Sequence, residues 1–311
     1  MLEMAEVLSL RNLHIAFDRV EASRGMAGVD RVTVARFKRE LGINLLVLSG
    51  ELADGRYRPL PLLRFLVAKP DGSPRALSVP AVRDRVAQAA VLNVLEPAFE
   101  AEFEEVSFAY RKGRSVKQAA HRIRELREKG YRYVVEADIV AFFDNIDHKL
   151  LHQKAARIVS DRQILELIRC WIAAEIYDGR SLYRLERGIP QGSPLSPLLA
   201  NLFLDELDER MIAAGCQLVR YSDDFIALCR TPSEAREALE LTAEVLKELG
   251  LALDDKDTRV TNFDRGFKYL GLVFMGDSIL APFDRPEREK RILYMPPPFD
   301  LDAYLLAANR E

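Results

Sequence analysis

The sequence has little cysteine and no long apolar run, and both features limit what it can be. Its three cysteines, among 311 residues, lie far apart and fit no CxxC metal-binding pattern, which is typical of a reduced, cytoplasmic protein. No apolar stretch approaches the roughly 20 residues of a membrane span. The first residues, MLEMAEVLSL, lack the basic start of a signal peptide. We therefore expect a cytoplasmic protein without a membrane partner.

The formal net charge of −3 gives no sign of a nucleic-acid-binding protein, but the charges are unevenly distributed. Residues 56–85 hold seven Arg or Lys against two acids, and residues 111–129 hold eight against two. Residues 201–260 reverse the sign, with fourteen acids against seven bases. A basic front half and an acidic back half suit a phosphate-binding surface beside a metal site, although solvated helix faces explain these charges about equally well.

The chain shows no internal repeat, low-complexity tract or Gly/Ser linker. Apolar periodicity predicts helices in the first part of the chain over about 4–22, 33–49, 81–104 and 114–129. Alternating, β-prone residues predict strands over 131–139, around 217–230 on both sides of a turn, and over 266–274 in a last hairpin. Because strands alternate with helices and with hairpins, we predict an α+β domain built on a mostly antiparallel sheet.

Three acids stand where predicted strands end or turn. Asp138 ends the strand over 131–139, and Asp223 and Asp224 lie at the tip of a predicted hairpin in RYSDDF. Adjacent side chains on a straight strand point to opposite faces, and carboxylates held together repel unless hard divalent cations lie between them. Two such ions about 4 Å apart catalyse in-line phosphoryl transfer. On these segments alone, a polar hairpin turn without function is an equally good interpretation.

Further segments favour a functional site. In order along the chain, ADIVAFFDNIDH (137–148), GIPQGSPLSPLLANLFLDELD (188–208) and RYSDDF (220–225) resemble reverse transcriptases, particularly the bacterial group II intron-like class. RFLVAKPDGSPRALSVPAVRDRVAQ (64–88), AYRKGRS (109–115) and FKYLGLVF (267–274) add three more blocks of that family. The resemblance covers about residues 25–280 and implies a right-hand polymerase fold with DNA-synthesising activity.

The resemblance assigns a metal site to the acids. Asp138 and Asp223 would be the main ligands, Asp224 would complete the acidic cluster, and the backbone carbonyl of Ile139 would join them. Two Mg²⁺ ions are implied, which Mn²⁺ can replace. Phe143, five residues after Asp138, takes the place of the family's steric gate, whose ring clashes with a ribose 2′-OH and so favours deoxynucleotides. Core packing is the alternative for Phe142 and Phe143, and it must hold for one of them.

Two pairs of residues match the family's nucleotide-binding positions. Lys69 and Arg75 correspond to the fingers residues that grip the incoming triphosphate, and a Lys point charge with an Arg fork suits a polyanion. Gln191 and Gly192 match the block that lines the nucleotide pocket. Without the other motifs, an exposed basic hairpin tip and a loop before a helix would explain these residues.

The remaining matches concern the template and primer. Arg111, Lys112 and Arg114 resemble the family's template-strand contacts, as phosphate binding requires. Tyr221 and Ser222 would flank the primer end. The family usually places a Lys immediately before a Thr in the segment LDDKDTRV, whereas Asp257 occupies that position here and Lys256 comes one residue earlier. We therefore leave the catalytic role of Lys256 open.

The resemblance also implies a domain plan. It assigns residues 1–130 to fingers, 131–280 to the palm, with the nucleotide-pocket block at 188–200, and 281–311 to a short tail or rudimentary thumb. Only 37 residues follow FKYLGLVF, so we expect the thumb to be short or absent. The alternatives are a clamp supplied by another protein and a chain cut from a longer fusion. Because relatives accompany CRISPR adaptation proteins, an integrase-type partner fits the expectation.

We therefore expect an RNA-directed DNA polymerase in which a primer 3′-hydroxyl attacks the α-phosphate of a dNTP and pyrophosphate leaves. An RNA template, a DNA or RNA primer and dNTPs are its expected partners. A nucleotidyl cyclase is an alternative, against which the PQGSPLSP block and the lack of a GGDEF-type turn argue. A non-catalytic nucleic-acid-binding subunit is another, against which the complete acidic set argues. Mobile-element, CRISPR adaptation and antiviral defence roles all stay open.

Overall fold

The computed structural model describes residues 3–69, 72–281 and 291–308. The helices in these ranges are, in chain order, α1 (Met4–Leu8), α2 (Leu10–Ala22), α3 (Val34–Arg39), α4 (Leu41–Ala53), α5 (Val82–Glu102), α6 (Val116–Glu128), α7 (Phe142–Asn145), α8 (His148–Ile158), α9 (Arg162–Ile172), α10 (Ser196–Ala213), α11 (Pro232–Glu248) and α12 (Leu301–Ala308). The strands are β1 (Leu62–Ala68), β2 (Pro74–Val79), β3 (Tyr133–Ala137), β4 (Glu175–Tyr177), β5 (Leu182–Arg184), β6 (Gln217–Tyr221), β7 (Asp224–Cys229), β8 (Arg259–Asn262), β9 (Phe267–Tyr269), β10 (Leu272–Met275), β11 (Ser278–Leu280) and β12 (Ile292–Tyr294).

The chain divides into two compact units, each assembled from separated stretches. Unit 1 comprises the described residues of Met1–Ala98, His152–Ser196 and Arg288–Glu311, and unit 2 those of Phe99–Leu151 and Pro197–Glu287. Within the described ranges, three sheets of five, three and four strands accompany the helices. This confirms the predicted α+β class with mostly antiparallel pairing. The division into fingers, palm and thumb stays a prediction.

Unit 1 contains the five-stranded sheet, in which β1 pairs with three strands. It runs antiparallel to β2 and β12 and parallel to β4, and β4 pairs with β5. The β1–β2 hairpin surrounds the predicted turn, whose Asp71 lies outside the described residues. Beside the sheet, the hydroxyl of Tyr57 donates to the carboxylate of Asp84 (2.7 Å) and accepts from the indole N–H of Trp171 (3.0 Å). Burial raises the pKa of Asp84 to about 6.

Unit 2 contains the four-stranded sheet, in the order β6-β7-β3-β8 with every pairing antiparallel. Strand β7 is buried along almost its whole length, because α11 packs against β3 and β7 while α6 packs against the sheet through a core of apolar side chains. That core includes Ile123 and Leu126 of α6, and Val134, Ile226 and Leu228 of the strands. Burial on both faces explains the continuous apolar run of β7.

The strand predicted over 266–274 as part of a last hairpin is wrong in its extent, because FKYLGLVF itself folds as a hairpin. Tyr269 pairs with Leu272, and the two residues between them, Leu270 (φ 51°) and Gly271 (φ 73°), adopt left-handed conformations. Two consecutive positive φ angles are those of a tight primed turn. The rings of Phe267 and Phe274 stack across the hairpin with centroids 5.0 Å apart.

The predicted first helix, about 4–22, is interrupted. It ends at Leu8 and begins again at Leu10, because Ser9 caps the second helix by accepting from the backbone N–H of Asn12 (3.2 Å). Of the helices in the described ranges, none combines the length and the apolar character that crossing a bilayer requires.

Candidate active site

The acidic doublet of unit 2 closes the β6–β7 hairpin. Tyr221 pairs with Asp224, so the turn between the strands consists of Ser222 and Asp223 alone. Ser222 has a φ of 65°, a left-handed conformation that non-glycine residues rarely adopt. Asp223 therefore lies in the turn itself and Asp224 begins β7. The two carboxylates project from different backbone geometries rather than from one straight strand.

Asp138, the third predicted acid, lies beside this turn because β3 pairs with β7. The last pair of that ladder is Ala137 with Phe225, so Asp138, the next residue, follows β3 at the level where Asp224 precedes Phe225. The pKa of Asp138 is raised by partial burial and by the charges of Asp223, Asp257 and Asp254. The pKa of Asp224 is raised to about 6 because neighbouring atoms displace water and because Asp223 and Asp138 are near.

The structure also gathers two acids that sequence reasoning did not assign to the site. One carboxylate oxygen each from Asp138, Asp254 and Asp257 lie within 4.8 Å of one another. The backbone explains this, because the N–H of Asp254 donates to the carbonyl of Asp138 (2.8 Å) and Ile139 forms an antiparallel bridge with Leu253. The acidic run of LDDKD was the one signal in the sequence that could have pointed to these two residues.

Lys256 and the unpredicted Lys268 line a cleft of about 300 Å³ beside these acids, together with Asp138, Asp224 and Asp257. The backbone N–H of Lys256 donates to Oδ1 of Asp254 (2.9 Å), and its side chain is exposed. The bridge between Ile139 and Leu253 uses the carbonyls of Asp138 and Ala252. The carbonyl of Ile139 therefore takes no part in that pairing.

Phe142 and Phe143 follow Asp138 through a change of chain direction. Ala141 adopts a left-handed conformation (φ 42°, ψ 50°) and begins the single turn of α7. Phe142 is buried, with its ring centroid 6.4 Å from that of Phe203 and 5.2 Å from that of Phe143. Phe142 therefore packs in the core. Phe143 is buried as well, although 9% of its surface is exposed against 1% for Phe142.

In unit 1 the structure brings two predicted nucleotide-binding residues together. The Nε of Arg75 donates to Oε1 of Gln191 (2.8 Å), and the N–H of Ser78 donates to the carbonyl of Gln191 (2.8 Å). Gly192 has a φ of 129°, and a Cβ there would lie 2.8 Å from the carbonyl oxygen of Ser78. Lys69 ends the β1 side of the hairpin with an exposed side chain, and its N–H donates to the carbonyl of Ser73 (2.8 Å).

The three predicted template contacts differ in their surroundings. Arg111 is buried, and its guanidinium donates to the carboxylate of Glu100 and to the carbonyls of Phe103, Glu104 and Ser107. Arg111 therefore connects parts of unit 2 to one another from a buried position. Lys112 is exposed and Arg114 forms an ion pair with Glu105 (2.7 Å), and both line a cleft of about 630 Å³.

The predicted primer residues lie at the end of β6. Tyr221 is half-buried and packs against the apolar core of unit 2. Ser222 is buried, and its carbonyl accepts a hydrogen bond from Arg220, a buried residue that sequence reasoning also missed. The side chain of Arg220 also donates to Asp208 and Asn201, which are polar residues at positions where a helix buries its surface. That pattern is the sequence signal that could have revealed the network.

Comparison with known proteins gives one family match. The model of the family described as "Reverse transcriptase (RNA-dependent DNA polymerase)" matches residues 67–274, which is more than half of the chain. Protein YkfC of Escherichia coli is 30% identical over 283 residues, covering 78% of this chain and 74% of that protein. The group II intron-encoded protein LtrA of Lactococcus lactis is 34% identical over 217 residues, covering 68% of this chain.

This chain spans only 35% of the length of LtrA. Among solved structures, a Cas6-RT-Cas1–Cas2 complex contains a chain that is 29% identical, and the match covers 78% of this chain and 41% of that chain. The TM-score of that match is 0.48.

Proposed function

The chain belongs to the reverse transcriptase family, and we propose that it is an RNA-directed DNA polymerase of the group II intron-like class. It would add dNTPs to a primer 3′-hydroxyl on an RNA template. The observation that carries the proposal is the position of Asp138 at the end of β3, level with the turn that presents Asp223 and Asp224. Family membership supplies the reaction, and this arrangement supplies a set of acids suited to it.

The donor set fits a hard divalent cation. Asp138 and Asp224 both have raised pKa values, in part because the charges of other carboxylates lie near them. Hard ions with oxygen ligands, such as Mg²⁺ or Mn²⁺, relieve that repulsion. We propose that Asp138, Asp223 and Asp224, with the carbonyl of Ile139, hold two Mg²⁺ ions. Bound there, the ions would activate the attacking hydroxyl and stabilise the leaving oxygen.

The other residues have roles of binding and selection in the proposal. Arg75 and Gln191, already joined by a hydrogen bond, would bind the incoming nucleotide with Lys69, and Gly192 would allow close approach of its backbone. Phe143 would exclude the ribose 2′-OH. Lys112 and Arg114 would contact template phosphates, where charge-assisted contacts position the strand.

Arg111 would act indirectly in the proposed template site. Its guanidinium is committed to the backbone of the segment 103–107 and to Glu100, and so would hold that segment in place for its exposed neighbours. Tyr221 and Ser222 would lie beside the primer end, and the role of Lys256 stays open. A protein that supplies a clamp, an integrase-type partner, and mobile-element, CRISPR or defence roles remain predictions.

The experiment is primer extension on an RNA template with Mg²⁺ and dNTPs. We expect Asp223→Asn to abolish extension, because the turn loses a charged metal ligand, while circular dichroism and thermal unfolding stay close to the wild type. Asp264→Asn is the matched control, because Asp264 is an exposed acid of unit 2 that is absent from the acidic cleft. Normal extension by Asp223→Asn would overturn the site assignment.

A further inference from the structure

A charged residue next to the acidic turn is completely buried. Arg220, in β6, and Asp208, in α10, form an ion pair in which both side chains are 0% exposed. The Nε of Arg220 donates to both carboxylate oxygens of Asp208, at 2.8 and 3.0 Å. A second guanidinium nitrogen, Nη2, donates to the same carboxylate. Removing both ions from water is costly, so a gain in stability does not by itself explain why the pair is buried.

The third nitrogen of the guanidinium connects the pair to the turn. The Nη1 of Arg220 donates to Oδ1 of Asn201 (2.9 Å) and to the carbonyl of Ser222 (3.1 Å). Asn201 is itself fixed, because its Nδ2 donates to the carbonyl of Ala109 (2.9 Å). Asn201 and Asp208 are seven residues apart on α10, so two helical turns present both to the same guanidinium.

The backbone of Arg220 is held as firmly as its side chain. Its N–H donates to the carbonyl of Val106 (2.8 Å), and its carbonyl accepts from the N–H of Phe108 (2.9 Å). The side chain of Arg220 thus extends from a fixed strand, and its guanidinium donates to the carbonyl of Ser222. That residue has the unfavourable left-handed conformation of the turn, which persists only where the surroundings enforce it.

We propose that Arg220, supported by Asp208 and Asn201, is a positioning residue that fixes the Ser222–Asp223 turn and thereby aims the carboxylate of Asp223. The inference rests on the proposed function for its catalytic consequence, since that function makes Asp223 a ligand of the catalytic metal ions. It also predicts an effect on the turn and on cation binding that needs no polymerase activity.

The decisive variant is Arg220→Lys. A lysine keeps the charge opposite Asp208, but its one ammonium nitrogen cannot occupy the three separate positions from which the guanidinium nitrogens donate to Asp208, Asn201 and Ser222. We expect Mn²⁺ affinity, measured by electron paramagnetic resonance, to fall by about tenfold, as changes in groups that orient ligands do. We expect kcat to fall by about tenfold or more with the KM for dNTP nearly unchanged, because the ligand is displaced rather than lost. Amide hydrogen exchange of residues 222–224 should become faster.

Two controls separate positioning from general destabilisation. Arg210→Lys makes the same substitution on α10 at an exposed ion pair with Glu244 and Glu248, and should change nothing. Leu218→Ala removes a buried apolar side chain from the same strand, and should lower the melting temperature while Mn²⁺ affinity stays at the wild-type value. If Leu218→Ala and Arg220→Lys lower Mn²⁺ affinity equally, the role of Arg220 is structural and the proposal is wrong.

Asn201→Ala tests the same proposal with the ion pair intact, should Arg220→Lys fail to fold. It removes one support of the Nη1 group, so Mn²⁺ affinity should fall and exchange in the turn should accelerate, both by less than in Arg220→Lys. Unchanged Mn²⁺ affinity and exchange in the folded variant would overturn the proposal. A wild-type protein that binds Mn²⁺ but never extends a primer would instead refute the proposed function, and the binding and exchange measurements would still decide the role of Arg220.

Discussion

Asp223 and Asp224 are neighbours in the sequence but occupy different structural positions. Asp223 is the second residue of a two-residue turn, and Asp224 is the first residue of β7, opposite Tyr221. The backbone of Asp224 is further fixed by the hydroxyl of Tyr269, which lies 3.0 Å from the carbonyl oxygens of both Asp224 and Val219. The turn therefore separates the backbone directions of the two acids, while the nearby charge of Asp223 still raises the pKa of Asp224.

Asp205, on α10, is a buried acid outside this cluster. Within the described part of the chain, its buried Oδ1 has no hydrogen-bond partner. Burial, together with the charges of Asp208 and Glu209, raises its pKa to about 7. The folded protein therefore holds a proton that the unfolded chain releases near pH 4. The stability that this proton contributes is present at low pH and is lost as the pH rises through about 7.

We predict that Asp205→Asn stabilises the protein in a pH-dependent manner. Asparagine stays neutral, so above pH 7 the free energy of unfolding of the variant should exceed that of the wild type by on the order of 2 kcal/mol. The difference should shrink toward pH 4–5, where the wild-type carboxyl is also neutral. Urea unfolding at several pH values measures it, with exposed Asp264→Asn as the control. A difference that does not vary with pH would contradict the assignment.

At the scale of single elements, two tight connections determine where side chains point. The left-handed Ala141 turns the chain after β3 into α7, and the loop at Gly192 is bound to β2 through Ser78. Both connections depend on backbone conformations that a sequence pattern of apolar and polar residues does not reveal.

We predict that Phe143→Ala reduces the preference for dNTP over rNTP by about 10- to 100-fold, because the smaller side chain leaves room for a 2′-OH. Competing dNTP and rNTP incorporation at a single template position measures the preference. Phe274→Leu is the control, since it trims a buried ring of the unit 2 core and should lower stability without changing sugar selection. Unaltered selectivity in Phe143→Ala would show that Phe143 serves in packing alone.

Gly192→Ala should destabilise unit 1. Its Cβ would lie 2.8 Å from the carbonyl oxygen of Ser78, at a φ of 129° that side chains rarely adopt. We expect a loss of about 1–3 kcal/mol in the free energy of unfolding. Gly42→Ala is the control, because a Cβ there meets nothing within 4 Å in helix α4, and alanine should be neutral or stabilising. Equal stability of the two variants would refute the close approach.

At the scale of the whole molecule, the sequence predicted the class of fold and the elements that carry the acids. Asp138 follows a strand and the doublet closes a hairpin, because both are local features that β-prone runs and turn residues specify. The turn inside FKYLGLVF was missed, because Leu270 continues the apolar pattern while its backbone is left-handed. The buried pair of Arg220 and Asp208 was missed, because residues in β6 and α10 meet only after folding.

The fold also determines how much positive charge the basic stretches leave available to a ligand. Arg111, Arg114 and Arg122 each face a glutamate in unit 2, so part of the positive charge counted over 111–129 is neutralised internally. Lys112, Lys117 and Lys129 are exposed lysines of this stretch, and of these three Lys112 lines the cleft beside Arg114. Salt dependence of template binding should therefore be weaker than the sequence count alone suggests, since each phosphate contact requires an available cation.

The most direct test of the account is template-directed synthesis by the wild-type chain. An RNA template of defined sequence, an annealed primer, Mg²⁺ and the four dNTPs are combined, and the product is sequenced. We predict extension of the primer to a DNA complementary to the RNA, and no extension without the template. Binding of the primer–template hybrid without any extension, or incorporation that ignores the template sequence, would contradict it.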